Sequence, residues 1–381
     1  MRILHLANHC HEIGNGIMNV AVDVACRQAD AGHDVAFASA GGSYVALLAR
    51  HGVRHTMLHQ NWRAPFTLPR SMLGLRRVLK TVRPEIVHAH MMTGALLARM
   101  IRGRAAWRLV TTVHNEWQRS ALAMGVGDRV IAVSAAVATR MAQRGIRAAK
   151  IDVVRNGPLN SPRRATASAA SAIELAHPAI LTVAGLYARK GIGDLIAAFD
   201  NVAERHPSAA LYIVGDGPDR ATFMAQASHS AHRDRIRFSG FQPDPRPFYQ
   251  QADIFVLASR SEPFGLVIAE AREAGCAVIG CDVGGIPEVL EDGRAGLLVP
   301  PSDPAALARA LCTLLDDPAA LKRWREASAD GCDWLDTRRV ADETVQVYQR
   351  ALDRVGLRDR VVAPSAKAAI LVRSDISTGR E

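Results

Sequence analysis

The sequence predicts an α/β protein of two doubly wound halves facing a central cleft, and three observations lead there. Short β-branched runs alternate with amphipathic stretches of helical period along most of the chain, the pattern of parallel sheets covered by helices on both faces. The alternation pauses once, between Gly157 and His177, in a stretch rich in Pro, Ser and Ala that has no strand period. At 381 residues the chain exceeds one ordinary core, and with 49% hydrophobic residues it has apolar surface enough for two.

Taken in order, residues 3–8 read as the first strand, 16–31 as a helix closed by Gly32, and 34–39 as the second strand. Strands at 84–88, 108–113 and 129–133 continue the series, each followed by a helix-forming segment. This defines an N-terminal domain at 1–160 and a linker at 161–177. A second series at 179–183, 210–214, 235–238, 253–257 and 276–280 defines a C-terminal domain at 178–335. The chain is mostly helical from Asp303. A last helix at 336–355 is expected to return to the first domain, and 356–381, where periodicity ends after Gly356, to be a mobile tail.

Composition narrows the function classes. A formal charge of +10 calls for anionic partners, whether nucleic acid, an anionic membrane face or a phosphorylated small substrate. Aromatic residues at 5% argue against a base-stacking surface, so no nucleic-acid partner is expected. Six scattered, mostly apolar-flanked cysteines form no C-x-x-C pair and read as buried thiols in a reducing compartment. His5, His9 and His11 are close in sequence, but an alternating strand does not aim all three at one ion. The N-terminal apolar stretch is too short for a signal-peptide core, and no window approaches eighteen apolar residues. The expected location is the cytoplasm, with at most peripheral contact to the cytoplasmic face of a membrane.

The segment SRSEPFGLVIAE, residues 259–270, carries the most chemistry. Pro263 favours an extended Glu262 and pre-sets a first helical turn. A helix starting near Phe264-Gly265 would present the amides of Phe264, Gly265 and Leu266 to an anion. Glu270 would then lie roughly 7–9 Å along that helix, a separation that suits a diphosphate at the helix end and a ribose diol on the carboxylate. Spacing alone is equally compatible with a helix-start glutamate and a solvated surface charge.

The stretch SEPFGLVIAEAREAGCAVIGCDVGGIPEV resembles the signature of the retaining GT-B glycosyltransferases, specifically family 4. GLYARKG at 185–191, IVGDGPDR at 213–220, and the first-half stretches HLANHCHEIGNGIMNVAVDVA, EIVHAH, TTVH, VIAVS and VRNG fall in the family's order. The resemblance covers nearly all of the chain to about residue 350 and is closer in the C-terminal half. It implies a GT-B architecture of two Rossmann-like domains, the N-terminal one on the acceptor side, and a hexosyltransferase using a nucleotide-diphosphate sugar, UDP- or GDP-linked, in cell-envelope polysaccharide synthesis. The acceptor would be a glycan, a lipid-linked sugar or a small molecule. Carried over by residue, Glu270 would hold the ribose, Glu262 the donated sugar, and Lys190 the diphosphate. The amides of Phe264, Gly265 and Leu266 would contact sugar and phosphate, and His114 would stand near the donated sugar. Gly16 and Asn15 take the place of the family's paired glycines in the first loop. The family's loop arginine is Gly185 here, which leaves Arg189 as a second cation.

No D-x-D pair occurs, so no metal and no cofactor are expected. A dinucleotide-dependent oxidoreductase is disfavoured because Gly14-Asn15-Gly16 follows a five-residue loop and Asn19 stands at the third glycine position. A nucleotide-sugar epimerase of the same fold and a non-catalytic sugar-binding scaffold remain open. His88, His90 and Glu116 are further acceptor-side candidates, and Asn156-Gly157 resembles a turn beside the hinge. Arg70, Arg76, Arg77, Lys80 and Arg83, then Arg99, Arg102, Arg104 and Arg108, form a basic series interleaved with Met72, Leu73, Leu75, Val78, Leu79, Met100, Ile101 and Trp107. It reads either as a solvated basic face or as a helix lying on an anionic membrane surface.

Overall fold

A computed structural model of the chain describes residues 1–14, 16–60, 67–115, 119–166 and 173–361. Its first seven strands, β1 (Arg2–Leu6), β2 (Asp34–Ser39), β3 (Arg54–Met57), β4 (Ile86–Ala89), β5 (Arg108–Val113), β6 (Arg129–Ala132) and β7 (Ile151–Val153), form one parallel sheet. The strand order is β3-β2-β1-β4-β5-β6-β7. Alternate residues of the central strands feed two cores, with Leu4, Leu6 and Val87 on one face and Ile3, Ile86 and Val110 on the other. Burial of both faces requires the near-continuous apolar runs that made these strands legible. The helices of this half are α1 (Gly16–Asp30), α2 (Val45–Arg50), α3 (Thr67–Val82), α4 (Met92–Ile101) and α5 (Ala135–Gln143).

The second sheet contains β8 (Ala179–Val183), β9 (Ala210–Val214), β10 (Ile236–Gly240), β11 (Ile254–Leu257), β12 (Ala277–Cys281) and β13 (Leu297–Val299), all parallel, in the order β10-β9-β8-β11-β12-β13. Its helices are α6 (Ile192–Arg205), α7 (Arg220–Ser228), α8 (Arg246–Gln251), α9 (Leu266–Glu273), α10 (Ile286–Val289), α11 (Pro304–Asp316) and α12 (Pro318–Ala329). In each sheet the order reverses beside the first strand, at β1/β4 and at β8/β11. Loops leaving such neighbours diverge and open a crevice at the carboxyl ends of the strands. The turns that follow β8 and β11 hold Lys190 and Glu262.

The last helix, α13 (Thr337–Val361), packs on the first sheet, where Val347, Tyr348 and Ala351 join the core with α1. It continues through Gly356, where the loss of periodicity predicts a tail; the residues beyond 361 lie outside the described ones. The linker crosses from one half to the other in a 3₁₀ turn, Pro162–Thr166. Arg163 pairs there with Asp23 of α1 at 2.9 Å, and Arg164 with Glu273 of α9. Glu288 of α10 also joins the halves, accepting from the amides of Ala135 and Ala136 at 3.0 Å and from Arg155 Nε at 2.7 Å.

The basic series departs from a helix with an apolar side free for lipid. Leu75, Val78 and Val82 of α3 are buried, Met72, Leu79 and Ile101 pack against the core, and Trp107 is buried. Only Leu73 and Met100 of that apolar series are exposed, at 50% and 57%. Arg70, Arg76, Arg77, Lys80 and Arg83 face solvent. Among the described residues no helix is long and apolar enough to cross a membrane. The six cysteines are free thiols, five of them buried.

Candidate active site

The C-terminal wall is built from two loops that touch. After β8 a single 3₁₀ turn, Ala188–Lys190, ends at Gly191. That residue has φ +65°, and a Cβ there would lie 1.8 Å from the Ala258 carbonyl oxygen, so only glycine lets the loops meet. The Arg260 amide donates to the Arg189 carbonyl at 2.8 Å and ties them together. Lys190 Nζ thereby reaches Glu262 Oε2 at 2.5 Å, and Ser259 Oγ donates to the same oxygen at 3.3 Å. The two side chains are 16% and 10% exposed, a setting in which a charge-assisted bond is strong. Lys190 and Glu262, expected as separate donor contacts, thus meet as an ion pair.

Gly284 and Gly285 fix the backbone of Glu262 from behind. The Gly285 amide donates to the Glu262 carbonyl at 3.0 Å. A Cβ on Gly284, at φ +56°, would fall 1.9 Å from that oxygen. This glycine pair has no role in the sequence reading, although its Gly-Gly spelling before Ile286 was the available signal.

The α9 helix begins at Leu266, later than the sequence predicts, because Gly265 adopts the left-handed conformation at φ +97°. The amides of Phe264, Gly265 and Leu266 have no hydrogen-bond partner among the described residues, and together they form an anion cradle. Phe264 is buried and holds the turn in the core. On α9, Glu270 accepts a hydrogen bond from the Tyr249 hydroxyl at 3.1 Å, a partner the sequence did not suggest. Burial raises the carboxyl above its ordinary value, with Arg164, Arg163 and the Tyr249 hydrogen bond acting against that rise.

Arg189 stacks over Tyr187, 4.7 Å from guanidinium carbon to ring centre. The same ring lies 2.9 Å from where a Cβ on Gly185 would stand, so Tyr187 fills the start of the path a side chain at 185 would take. The two halves approach here as well: a Cβ on Gly16 would meet Leu266 Cδ1 at 3.1 Å, and one on Gly14 would meet the Phe241 ring at 2.9 Å. Asn15 and Glu116 lie outside the described residues.

Across the cleft, a cavity of about 440 Å³ is lined by Asn8, Ile17, Gln60, His90, Thr112 and His114 among others. His114 follows β5 as predicted, and its Nε2 lies 3.3 Å from His90 Nδ1. Burial pulls the His114 pKa down to about 3, so this imidazole is neutral near pH 7. His90 continues to His5, Nε2 to Nδ1 at 2.9 Å, and His5 Nε2 meets Gln28 Oε1 at 2.9 Å. Gln28 Nε2 donates to the Tyr348 hydroxyl at 3.3 Å, which lies 2.6 Å from His88 Nδ1; His88 Nε2 reaches Thr112 Oγ1 at 2.7 Å. Burial lowers His5 to about 4 and His88 and His90 well below the ordinary value. Among the described residues, ligand atoms of His5, His88 and His90 lie within 4.8 Å of one another. Their ring nitrogens are all taken up by the hydrogen bonds just given. His5 therefore clusters with the β4 pair and not with His9 and His11, whose rings lie against each other 5.6 Å apart.

Comparison with known proteins identifies the family and the fold. The family described as Glycosyltransferase Family 4 matches residues 14–157, and Glycosyl transferases group 1 matches 164–330. A glycogen synthase of Mycobacterium tuberculosis is 31% identical over 299 residues, 71% of this chain and 69% of that protein. The lipopolysaccharide core biosynthesis glycosyltransferase LpsE of Rhizobium meliloti is 33% identical over 149 residues, 39% of this chain and 43% of that one. Among solved structures, HepE of Anabaena in complex with UDP superimposes with a TM-score of 0.76 at 21% identity, covering 92% of this chain and 100% of that one. The fold is therefore the two-domain, Rossmann-like GT-B fold, and the chain belongs to glycosyltransferase family 4, the glycosyl transferases of group 1.

Proposed function

We propose that this glycosyltransferase moves a hexose from a nucleotide-diphosphate sugar to a glycan, lipid-linked or small-molecule hydroxyl with retention of configuration. The Lys190–Glu262 pair beside the open amides of 264–266 carries the reading. An arriving diphosphate takes the ammonium and the amides, and releases Glu262 to accept from hydroxyls of the donated sugar. Lys190 then offsets charge that grows on the leaving diphosphate, an effect worth several kcal/mol in an enclosed site. Glu270 accepts from the ribose, as its place on α9 allows. The structurally similar HepE was solved in complex with UDP, which supports a nucleotide-linked donor.

No carboxylate lines the His114 cavity among the described residues, which supports same-face attack over double displacement. Catalysis then rests on positioning and charge stabilisation by the chain itself, without a metal. The exposed basic face of α3 is suited to an anionic membrane surface that supplies a lipid-linked acceptor. The test is a panel of UDP-, GDP- and ADP-sugars, with the product anomer followed by proton NMR as it forms. Transfer or slow hydrolysis of one donor with the anomer retained supports the reading. An inverted product, or an epimerised sugar released from the donor alone, overturns it.

A further inference from the structure

The cavity beneath His114 is lined in part by polar side chains, among them Asn8, Gln60, Thr112 and Ser120. Gln60 Nε2 is committed to the carbonyls of Ala7 and Ala38 at 2.6 and 3.3 Å. Its Oε1, like Asn8 Oδ1, is buried without a hydrogen-bond partner among the described residues. Whether His114 offers a ligand an acceptor depends on which ring nitrogen bears its proton.

The hydrogen-bond chain behind it decides that. Gln28 turns its carbonyl oxygen to His5 and its amide nitrogen to Tyr348. His5 Nε2 must then donate to Gln28, which leaves His5 Nδ1 as a lone pair. His90 Nε2 donates to that lone pair, which leaves His90 Nδ1 to accept from His114 Nε2. Each neutral ring has one proton, so the order propagates without a break, and among the described residues no charged side chain bonds to any member of the run. We propose that Gln28, acting through His5 and His90, fixes the His114 proton on Nε2, so that Nδ1 is an acceptor for a ligand hydroxyl. Gln28, on α1, is thus a positioning residue separated from His114 by the rings of His5 and His90. A hydroxyl donor is welcomed at His114 Nδ1, whereas an anion would meet the lone pair of a neutral ring there. Only the identity of that ligand as a sugar rests on the proposed glycosyl transfer.

The test is made on the full chain with ¹⁵N-labelled histidine, free of ligand at neutral pH. Long-range ¹H–¹⁵N spectra distinguish protonated from bare ring nitrogens, and the His114 signals are assigned by their loss in His114→Gln. The expected result is a protonated Nε2 and a bare Nδ1 at His114. Gln28→Met, which removes the carbonyl, should give a mixture of tautomers and lower kcat/KM by about 2- to 12-fold; Gln28→Glu, which keeps an acceptor toward His5, should restore the Nε2–H signal. A wild-type proton on Nδ1, a His114 tautomer unchanged by Gln28→Met, or loss of the His5 and His90 bonds to added zinc would each overturn the proposal. Failure of every nucleotide sugar to react would count against the proposed function alone, because the tautomer is read in the free protein.

Discussion

Acid should unfold this protein steeply, and the four linked imidazoles set the slope. His5, His88, His90 and His114 are held neutral by burial, with folded pKa values lowered to about 4 and about 3 for His5 and His114 and well below normal for the other two. In the unfolded chain each returns to its ordinary value of about 6.5. Stability is therefore fully present above that value and is lost as pH falls below it, because the unfolded state binds protons that the folded state refuses. At pH 5.5 each unfolded ring is about nine-tenths protonated, so unfolding takes up roughly 3.6 protons and stability falls by about 5 kcal/mol per pH unit. His9, His33 and His55 are lowered by burial and add to the slope, while the raised Glu270 acts against it at lower pH. A total stability of about 5–15 kcal/mol would be exhausted within one to three pH units. Urea unfolding between pH 7.5 and 5.5, followed by far-ultraviolet circular dichroism, measures the slope. A fall below about 1.4 kcal/mol per pH unit, one proton's worth, would refute the reasoning.

Three further outcomes follow from the site. Glu270→Gln should weaken nucleoside diphosphate binding by about 1.5–3 kcal/mol in calorimetry. Wild-type affinity should be full well above the raised Glu270 value and decline as pH falls through it, a dependence absent in the variant. Gly191→Ala should cost about 2–4 kcal/mol in urea melts and displace Lys190, whereas Gly275→Ala, with the same positive φ but open space, should cost about 1 kcal/mol. Liposome flotation should recover the protein with anionic but not neutral vesicles at low salt, and lose it at high salt; equal recovery throughout would leave the α3 arginines as a solvated face.

Much of the fold was legible because parallel strands buried on both faces must be apolar runs. The segments 34–39, 108–113, 179–183 and 210–214 coincide with β2, β5, β8 and β9. The region of Lys190 and Glu262 was legible through the SRSEPFGLVIAE segment and its resemblance to the family signature, whereas the backbone roles of Gly191, Gly284 and Gly285 emerge only from the packed loops. The pairing of Lys190 with Glu262 was not legible, because it depends on β8 and β11 lying side by side. The start of α9 was misplaced because Pro263 suggests a helical turn while Gly265 takes a left-handed one. The histidine chain was hidden for a different reason. His5 and His88 stand in register on neighbouring strands, and His90 follows on the same face two residues later, yet 83 residues separate the strands. Tyr348 arrives from a helix 260 residues beyond His88, and no local pattern encodes that return.

Under the proposed function, Lys190, Glu262, Glu270 and the 264–266 amides together hold a nucleoside diphosphate. Titration calorimetry of UDP, GDP and ADP into the wild-type chain and Lys190→Ala tests it most directly. Saturable binding of at least one nucleotide is expected, with a loss of about tenfold or more on removing the ammonium. Binding of none of the three, or equal affinity in the two proteins, would contradict it.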